Sequence, residues 1–256
     1  MDKEIYEKII KKKEFSKLPK KDVELIFNKF DKPQYIGEEK IKLTRDLLRK
    51  VFSVFASEKL FNLKNKDAEW ILRKHLSTRE RLNGYKELYS KIFLDSKEKI
   101  NIIDLGAGVN GFSYSLMKEV NSSVNYFGVE AVGQLVDLMN VYFLKEKFNA
   151  KAFHLSLFEL EKIKTLIQKI KGNKIIFLFK TLDSLEMVER DYSKKFLGEL
   201  VPLVDKVVVS FATRSLVARK KFNVQRNWIV NFIKTKFKIL DDFELSDERY
   251  LILQKK

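Results

Sequence analysis

The stretch Asp104-Leu105-Gly106-Ala107-Gly108-Val109-Asn110-Gly111 sets a carboxylate directly in front of three glycines, and a second carboxylate, Glu130, closes the next apolar run. Glycines after a strand let backbone approach a ligand at the strand's carboxyl end, beside a helix amino terminus. The spacing of Gly106, Gly108 and Gly111 also satisfies the dinucleotide fingerprint, and Glu130 could hold a ribose in either case. A tight strand-to-helix turn with a capping aspartate fits the same residues. Asp104 separates the ligand readings. A carboxylate there would face the pyrophosphate of a nicotinamide dinucleotide, whereas S-adenosylmethionine has no phosphate and carries an ammonium and a sulfonium. Charge logic favours S-adenosylmethionine and weakens the oxidoreductase alternative.

Those residues need strands and helices to hold them. From Ile100 onward, short apolar runs alternate with amphipathic stretches: Ile100 to Leu105, Val124 to Val129, Lys151 to Leu155, Ile175 to Phe179 and Val207 to Phe211. Runs of this kind imply strands covered on both faces, as in the parallel sheet of an α/β domain. Phe237 to Leu240 and Tyr250 to Leu253 flank Ser246 and Asp247 with no room for a helix between them, so they should form an antiparallel hairpin at the sheet's edge. The layout is that of a Rossmann-like, class I S-adenosylmethionine-dependent methyltransferase, with a seven-stranded, mostly parallel sheet. Before residue 98 the pattern is helical: Ile41, Leu47, Leu48, Val51, Phe52 and Phe55, then Leu82, Tyr85, Leu88, Tyr89, Ile92 and Phe93, recur at three- and four-residue spacing. With Pro19, Pro33 and Gly37 as punctuation, four or five short helices are expected. Two domains follow: 1–97 helical, 98–256 Rossmann-like.

Composition narrows the partners. With no cysteine and two histidines, disulfides, thiol nucleophiles and cysteine-ligated zinc are excluded and imidazole metal sites are disfavoured, so no metal is expected. No run approaches the roughly 18–20 apolar residues of a membrane span, and Met1 is followed by charged, helix-like sequence, so a soluble cytoplasmic monomer away from membranes is expected. Fifty-one Lys and Arg against 35 Asp and Glu give a net charge of +16, which makes a polyanion the first partner to consider. Residues 206–240 hold nine basic side chains and no acidic one, among them Arg214, Arg219, Lys220, Lys221 and Arg226. A solvated helix face is the ordinary account of such a run. Its place beside the expected active-site edge favours an RNA-facing patch.

Just before the α/β region stands His75-Leu76-Ser77-Thr78-Arg79-Glu80-Arg81-Leu82. Ser77 with Glu80 reads as a capping box opening the helix from Leu82 to Phe93. His-x-Ser-Thr-x-Glu-Arg-Leu ahead of a methyltransferase domain also resembles the aminoglycoside-resistance 16S rRNA (guanine-N7) methyltransferase family, the Arm/Rmt/FmrO-like group. Phe179-Lys180-Thr181-Leu182-Asp183-Ser184-Leu185-Glu186 is similar to that family's Lys-x-Leu-Pro-x-Leu-Glu run. Ser210-Phe211-Ala212-Thr213-Arg214-Ser215-Leu216, followed by Arg219, looks like its Ser-Phe-Pro-Thr-Arg/Lys-Ser-Leu-x-x-Arg segment. The chain departs from the pattern at Asp183 and Ala212, where the family has proline, and at Val217, Ala218 and Phe222, where it has small residues.

The resemblance implies a protein that methylates N7 of a decoding-site guanine of 16S rRNA in the 30S subunit, with aminoglycoside resistance as an associated role. The alternative is a non-catalytic rRNA-binding or ribosome-assembly protein that keeps the fold. In the first case Arg81 would pair with the methionine carboxylate of the cofactor, Asp104 and Gly106 would line its methionine end, and Glu130 would accept its ribose hydroxyls. His75, Ala107, Gly108, Ala131, Leu157 and Lys180 would line the same pocket. Ser156 would line it too, at the place after the third strand where many methyltransferases set an acid against the adenine. Lys180, Arg214 and Arg219 would also hold RNA phosphates or the target nucleotide. No catalytic base is called for: guanine N7 already presents a lone pair, so alignment with the sulfonium suffices.

Overall fold

The computed structural model describes residues 1–53, 67–94, 99–213 and 226–256. Among the described residues, six α-helices precede the sheet: α1 (Lys3–Ile10), α2 (Lys20–Phe30), α3 (Gly37–Leu48), α4 (Ala68–Lys74), α5 (Leu76–Arg81) and α6 (Tyr85–Ile92). One more appears than the punctuation suggests. Extended backbone at His75 (φ −97°, ψ 123°) splits α4 from α5 where no glycine or proline stands. Helix α5 also starts before Ser77, so Ser77 is not a cap. Its hydroxyl accepts from Arg81 Nη2 at 2.5 Å, Glu80 pairs with Lys180, and the expected capping box is absent because both side chains serve tertiary contacts.

The remainder alternates as β1 (Ile100–Leu105), α7 (Tyr114–Val120), β2 (Val124–Glu130), α8 (Gly133–Lys145), β3 (Ala150–His154), α9 (Leu160–Lys169) and β4 (Asn173–Phe179). There follow α10 (Thr181–Val188), α11 (Tyr192–Leu200), β5 (Lys206–Ala212), α12 (Asn227–Lys236), β6 (Phe237–Leu245) and β7 (Glu248–Lys255). The seven strands lie in the order β3-β2-β1-β4-β5-β7-β6, with β7 antiparallel to both neighbours. Ser246 and Asp247 turn the hairpin with φ of 52° and 59°, a twist that suits a two-residue hairpin turn. Every residue of β1 is buried, as a central strand covered on both faces requires, whereas the edge strand β3 is buried only at Ala152.

Two apolar layers flank the sheet. On one face Ile103, Ile176 and Val209 pack with α9 to α12. On the other, Ile102, Tyr126 and Phe177 share a continuous core with Ile9, Phe27, Leu48 and Tyr89 of the amino-terminal helices. The helical segment is thus built into one face of the sheet, and the sequence-level boundary between 97 and 98 lies outside the described residues. Among the described residues no helix is long and apolar enough to cross a membrane.

Helix α2 is fastened at both ends to the α/β part. Lys29 donates to the carbonyls of Met187 (3.0 Å) and Val188 (2.7 Å) at the end of α10, where a helix carboxyl terminus favours a cation. The segment leading into α2 is held to the start of α8 by Gly133 N–H to Lys17 O (3.1 Å), Gln134 Nε2 to Lys13 O (2.8 Å) and the Lys17–Asp137 ion pair (2.6 Å). A Cβ at Gly133 would sit 2.9 Å from Lys17 Cβ and 3.1 Å from its carbonyl, so this approach needs glycine. Gly133→Ala should therefore destabilise the fold by about 1–3 kcal/mol, the range for overpacking, read as a lowered denaturant midpoint. An unshifted midpoint would mean that the contact is looser than it stands here.

Candidate cofactor cleft and active site

The strand order reverses between β1 and β4, the switch point where open α/β sheets bind ligands beyond the carboxyl ends of their strands. A cleft of about 870 Å³, counting its open mouth, lies there. Ten of the eleven sequence-designated cofactor residues line it: His75, Arg81, Asp104, Gly106, Ala107 and Gly108 at its centre, with Glu130, Ala131, Leu157 and Lys180 around them. Ser156 does not line it. Its buried hydroxyl donates to Asp22, and Asp22 lines the cleft.

Asp104, at the end of β1, accepts from Asn110 Nδ2 and from the Tyr126 hydroxyl, each at 2.7 Å. Burial raises its pKa against those two hydrogen bonds and the Arg81 charge, so a cation arriving beside it would be welcome. Glu130 clamps the glycine loop. One oxygen accepts the Gly108 N–H and the other the Val132 N–H, both at 2.8 Å. Burial again pushes its carboxyl upward, opposed by these backbone donors. Gly108 has φ +54°, and a Cβ on it would lie 2.9 Å from His75 Nε2, so the imidazole packs against bare backbone. Burial, with Arg81 and Lys180 nearby, drops the His75 pKa to about 3. It stays neutral at physiological pH and is no proton donor there.

Sequence reasoning missed Glu248. This fully buried carboxylate at the start of β7 bonds Arg81 Nε (3.1 Å), Lys180 Nζ (3.2 Å) and the Ser210 hydroxyl. Burial alone would raise its pKa, yet Arg81 and Lys180 hold it below the usual value. Arg81 also donates to Asn110 Oδ1 (3.0 Å), and its guanidinium lies over the Phe179 ring at 4.8 Å. Lys180 is bound to Glu80 as well, at 2.5 Å, from a left-handed backbone (φ 58°) at the entry to α10. Its ammonium is therefore engaged by two carboxylates of its own chain. Arg81 is likewise already engaged, so a ligand carboxylate would share it with Glu248.

Asp22 was missed too. It lies in the first turn of α2, is 1% exposed and lines the cleft. Oδ1 accepts from Ser156, while Oδ2 has no hydrogen-bond partner. Burial, helped by Glu130 and Glu159 and opposed by the Ser156 hydrogen bond and Lys21, pushes its pKa up to about 7.

The ribosomal RNA methyltransferase (FmrO) family matches residues 47–248, most of the chain. The chain belongs to that family. A curated relative, the 16S rRNA (guanine(1405)-N(7))-methyltransferase of Proteus mirabilis, is 23% identical over 190 residues, which span 72% of this chain and 64% of that protein. Among solved structures, the 16S rRNA methyltransferase RmtF in complex with S-adenosyl-L-homocysteine superposes with a TM-score of 0.80 at 21% identity, over the whole of both chains. The 16S rRNA methylase RmtB gives 0.75 at 17% identity over 98% of each. At these identities the likeness is one of fold, and it agrees with the class I methyltransferase architecture expected from the sequence.

Two departures from the FmrO-type motifs meet in space. Asp183 and Ala212, both in place of proline, are joined by Arg226, which pairs with the Asp183 carboxylate (2.8 Å) and donates from Nη1 to Ala212 O (3.0 Å). Its guanidinium also stands 5.3 Å from the Phe211 ring centre. Arg226 thus ties two strand-following segments together within the protein. The one-sided charge run conceals this because its acidic partner lies 43 positions away in sequence. Arg214, Arg219, Lys220 and Lys221, with Val217, Ala218 and Phe222, lie outside the described residues. Among the described residues, a groove between α1 and α3 gathers Lys8, Lys12, Lys42, Arg45 and Arg49 against Glu38 and Asp46.

Proposed function

We propose that this member of the FmrO family transfers the methyl group of S-adenosylmethionine to N7 of a guanine in the decoding region of 16S rRNA, acting on the 30S subunit. The observation that carries the cofactor is the pair Asp104 and Glu130, set at the ends of adjacent strands β1 and β2 in one cleft. The cleft fits S-adenosylmethionine: an anionic group faces where an ammonium would lie, Glu130 keeps acceptor capacity for ribose hydroxyls, and a buried acceptor on Asp22 awaits a donor. When bound, the cofactor supplies a methyl group activated by a sulfonium. The chain's own part is positioning. Asp104 neutralises the ammonium, Glu130 fixes the ribose while holding the glycine loop taut, and Glu248 holds Arg81 and Lys180 still at the cleft wall. Guanine N7 attacks with its own lone pair, so the cysteine-free composition and a histidine that stays neutral are no handicap.

The net charge of +16 and the cationic groove between α1 and α3 support docking on rRNA phosphates. The live carboxylates in the cleft favour an enzyme over a non-catalytic assembly protein. A monomer in the cytoplasm is part of the same proposal. Incubation with methyl-labelled S-adenosylmethionine and 30S subunits should place label on one guanine N7 of 16S rRNA, mapped by cleavage specific for 7-methylguanine. Label confined to another base, or none with folded protein that binds the cofactor, would overturn it.

A further inference from the structure

Along the carboxyl edge of the sheet the cleft's polar groups follow the strand order. Ser156 and its partner Asp22 stand beyond β3, Glu130 ends β2, Asp104 ends β1 and Lys180 follows β4. If Glu130 takes the ribose and Asp104 the amino-acid ammonium, the base must extend from the ribose away from Asp104, toward β3. Ala131, Leu157 and Phe158 supply apolar surface there for a flat ring. Asp22 is the polar group waiting at that end. It is buried, it lines the cleft, Ser156 fixes one of its oxygens, and the other has no partner. A buried acceptor left without a donor is costly, and in a binding cleft the ligand is the natural donor. Adenine offers one hydrogen-bond donor on its exposed ring edge, the exocyclic amine.

We propose that Asp22 Oδ2 accepts a hydrogen bond from the exocyclic amine of the cofactor's adenine, so that a helix lying ahead of the methyltransferase sheet carries the residue that reads the base. This rests on the S-adenosylmethionine reading of the cleft. Ser156 stands after the third strand where an acid was anticipated, and it serves as a positioning residue that orients an acid brought in by α2. The Lys13–Lys17 segment pinned on Gly133 and Gln134, with Lys29 at the far end, sets where α2 lies and hence where Asp22 points.

The discriminating ligands are S-adenosyl-L-homocysteine and its 6-oxo analogue, S-inosyl-L-homocysteine, titrated by calorimetry against wild type and Asp22→Asn. At about pH 8.5, above the value near 7 to which burial pushes Asp22, wild type should prefer the amine by about tenfold or more, the range for a hydrogen bond to a charged acceptor. The isosteric amide presents N–H to the cleft, so Asp22→Asn should bring the ratio to about one or reverse it. Ser156→Ala should lower it without reversing it. Equal affinities for the two ligands in wild type overturn the proposal whether or not the variants fold, as does a preference that Asp22→Asn leaves intact. If neither nucleoside binds wild type, the cofactor reading fails instead.

Discussion

Glu248→Ala should cost the fold about 3–5 kcal/mol, the largest loss expected from any single change considered for this chain. The substitution deletes the carboxylate shared by Arg81 and Lys180, both almost wholly buried, and takes the partner of the Ser210 hydroxyl with it. Glu80 still covers Lys180, but Arg81 would lose the carboxylate to which it is hydrogen-bonded, and an undercompensated buried cation is what makes breaking such a network expensive. Urea denaturation at pH 7 measures it. Glu248 also gives the effect a pH signature. Its folded pKa lies below the ordinary 4.5, so its contribution is fully present above that value and fades as pH falls through the folded pKa. The gap between wild type and Glu248→Ala should therefore stay constant from pH 8 to about 5 and close in stronger acid. A loss under about 1 kcal/mol, or a gap that widens in acid, would show that the network is slack.

Glu130→Ala should weaken S-adenosyl-L-homocysteine binding by about 1–3 kcal/mol, roughly 5- to 150-fold. Two losses combine. The ribose hydroxyls lose their acceptor, and the N–H groups of Gly108 and Val132 lose the carboxylate that holds the loop in register. Glu130→Gln should be milder, because an amide oxygen can still serve one of the two backbone donors. Calorimetry on folded protein decides it. Unchanged affinity in Glu130→Ala would take Glu130 out of the cofactor site.

The local layers of this structure could be read from the chain. The apolar runs sit in strands within a residue or two of their places, except that β6 continues five residues past Leu240, the Ser246–Asp247 turn closes the hairpin, and the glycine loop falls between Asp104 and α7. What escaped comes from long-range packing. Asp22 reaches its partner across 134 positions and Glu248 reaches Arg81 across 167. Seen alone, Asp22 is an ordinary acid in a helix's first turn and Glu248 a polar residue opening an edge hairpin. One signal was available: Ser156 in place of an acid implies that a carboxylate arrives from elsewhere. The Arg226–Asp183 pair escaped for the same reason, since counting charge along the chain overlooks an acid across the fold.

The fastening of α2 also bears on how the protein is made. Synthesis runs from Asp22 to Ser156, and at roughly 5–20 residues per second those 134 positions take about 7–27 s. Throughout that interval Asp22, buried in the finished molecule, has no Ser156 to bond. This part of the cleft lining is therefore translated early and fixed in place late. A nascent chain halted before β3 should keep α2 open to protease, and protection should appear only once the residues after β3 have cleared the exit tunnel.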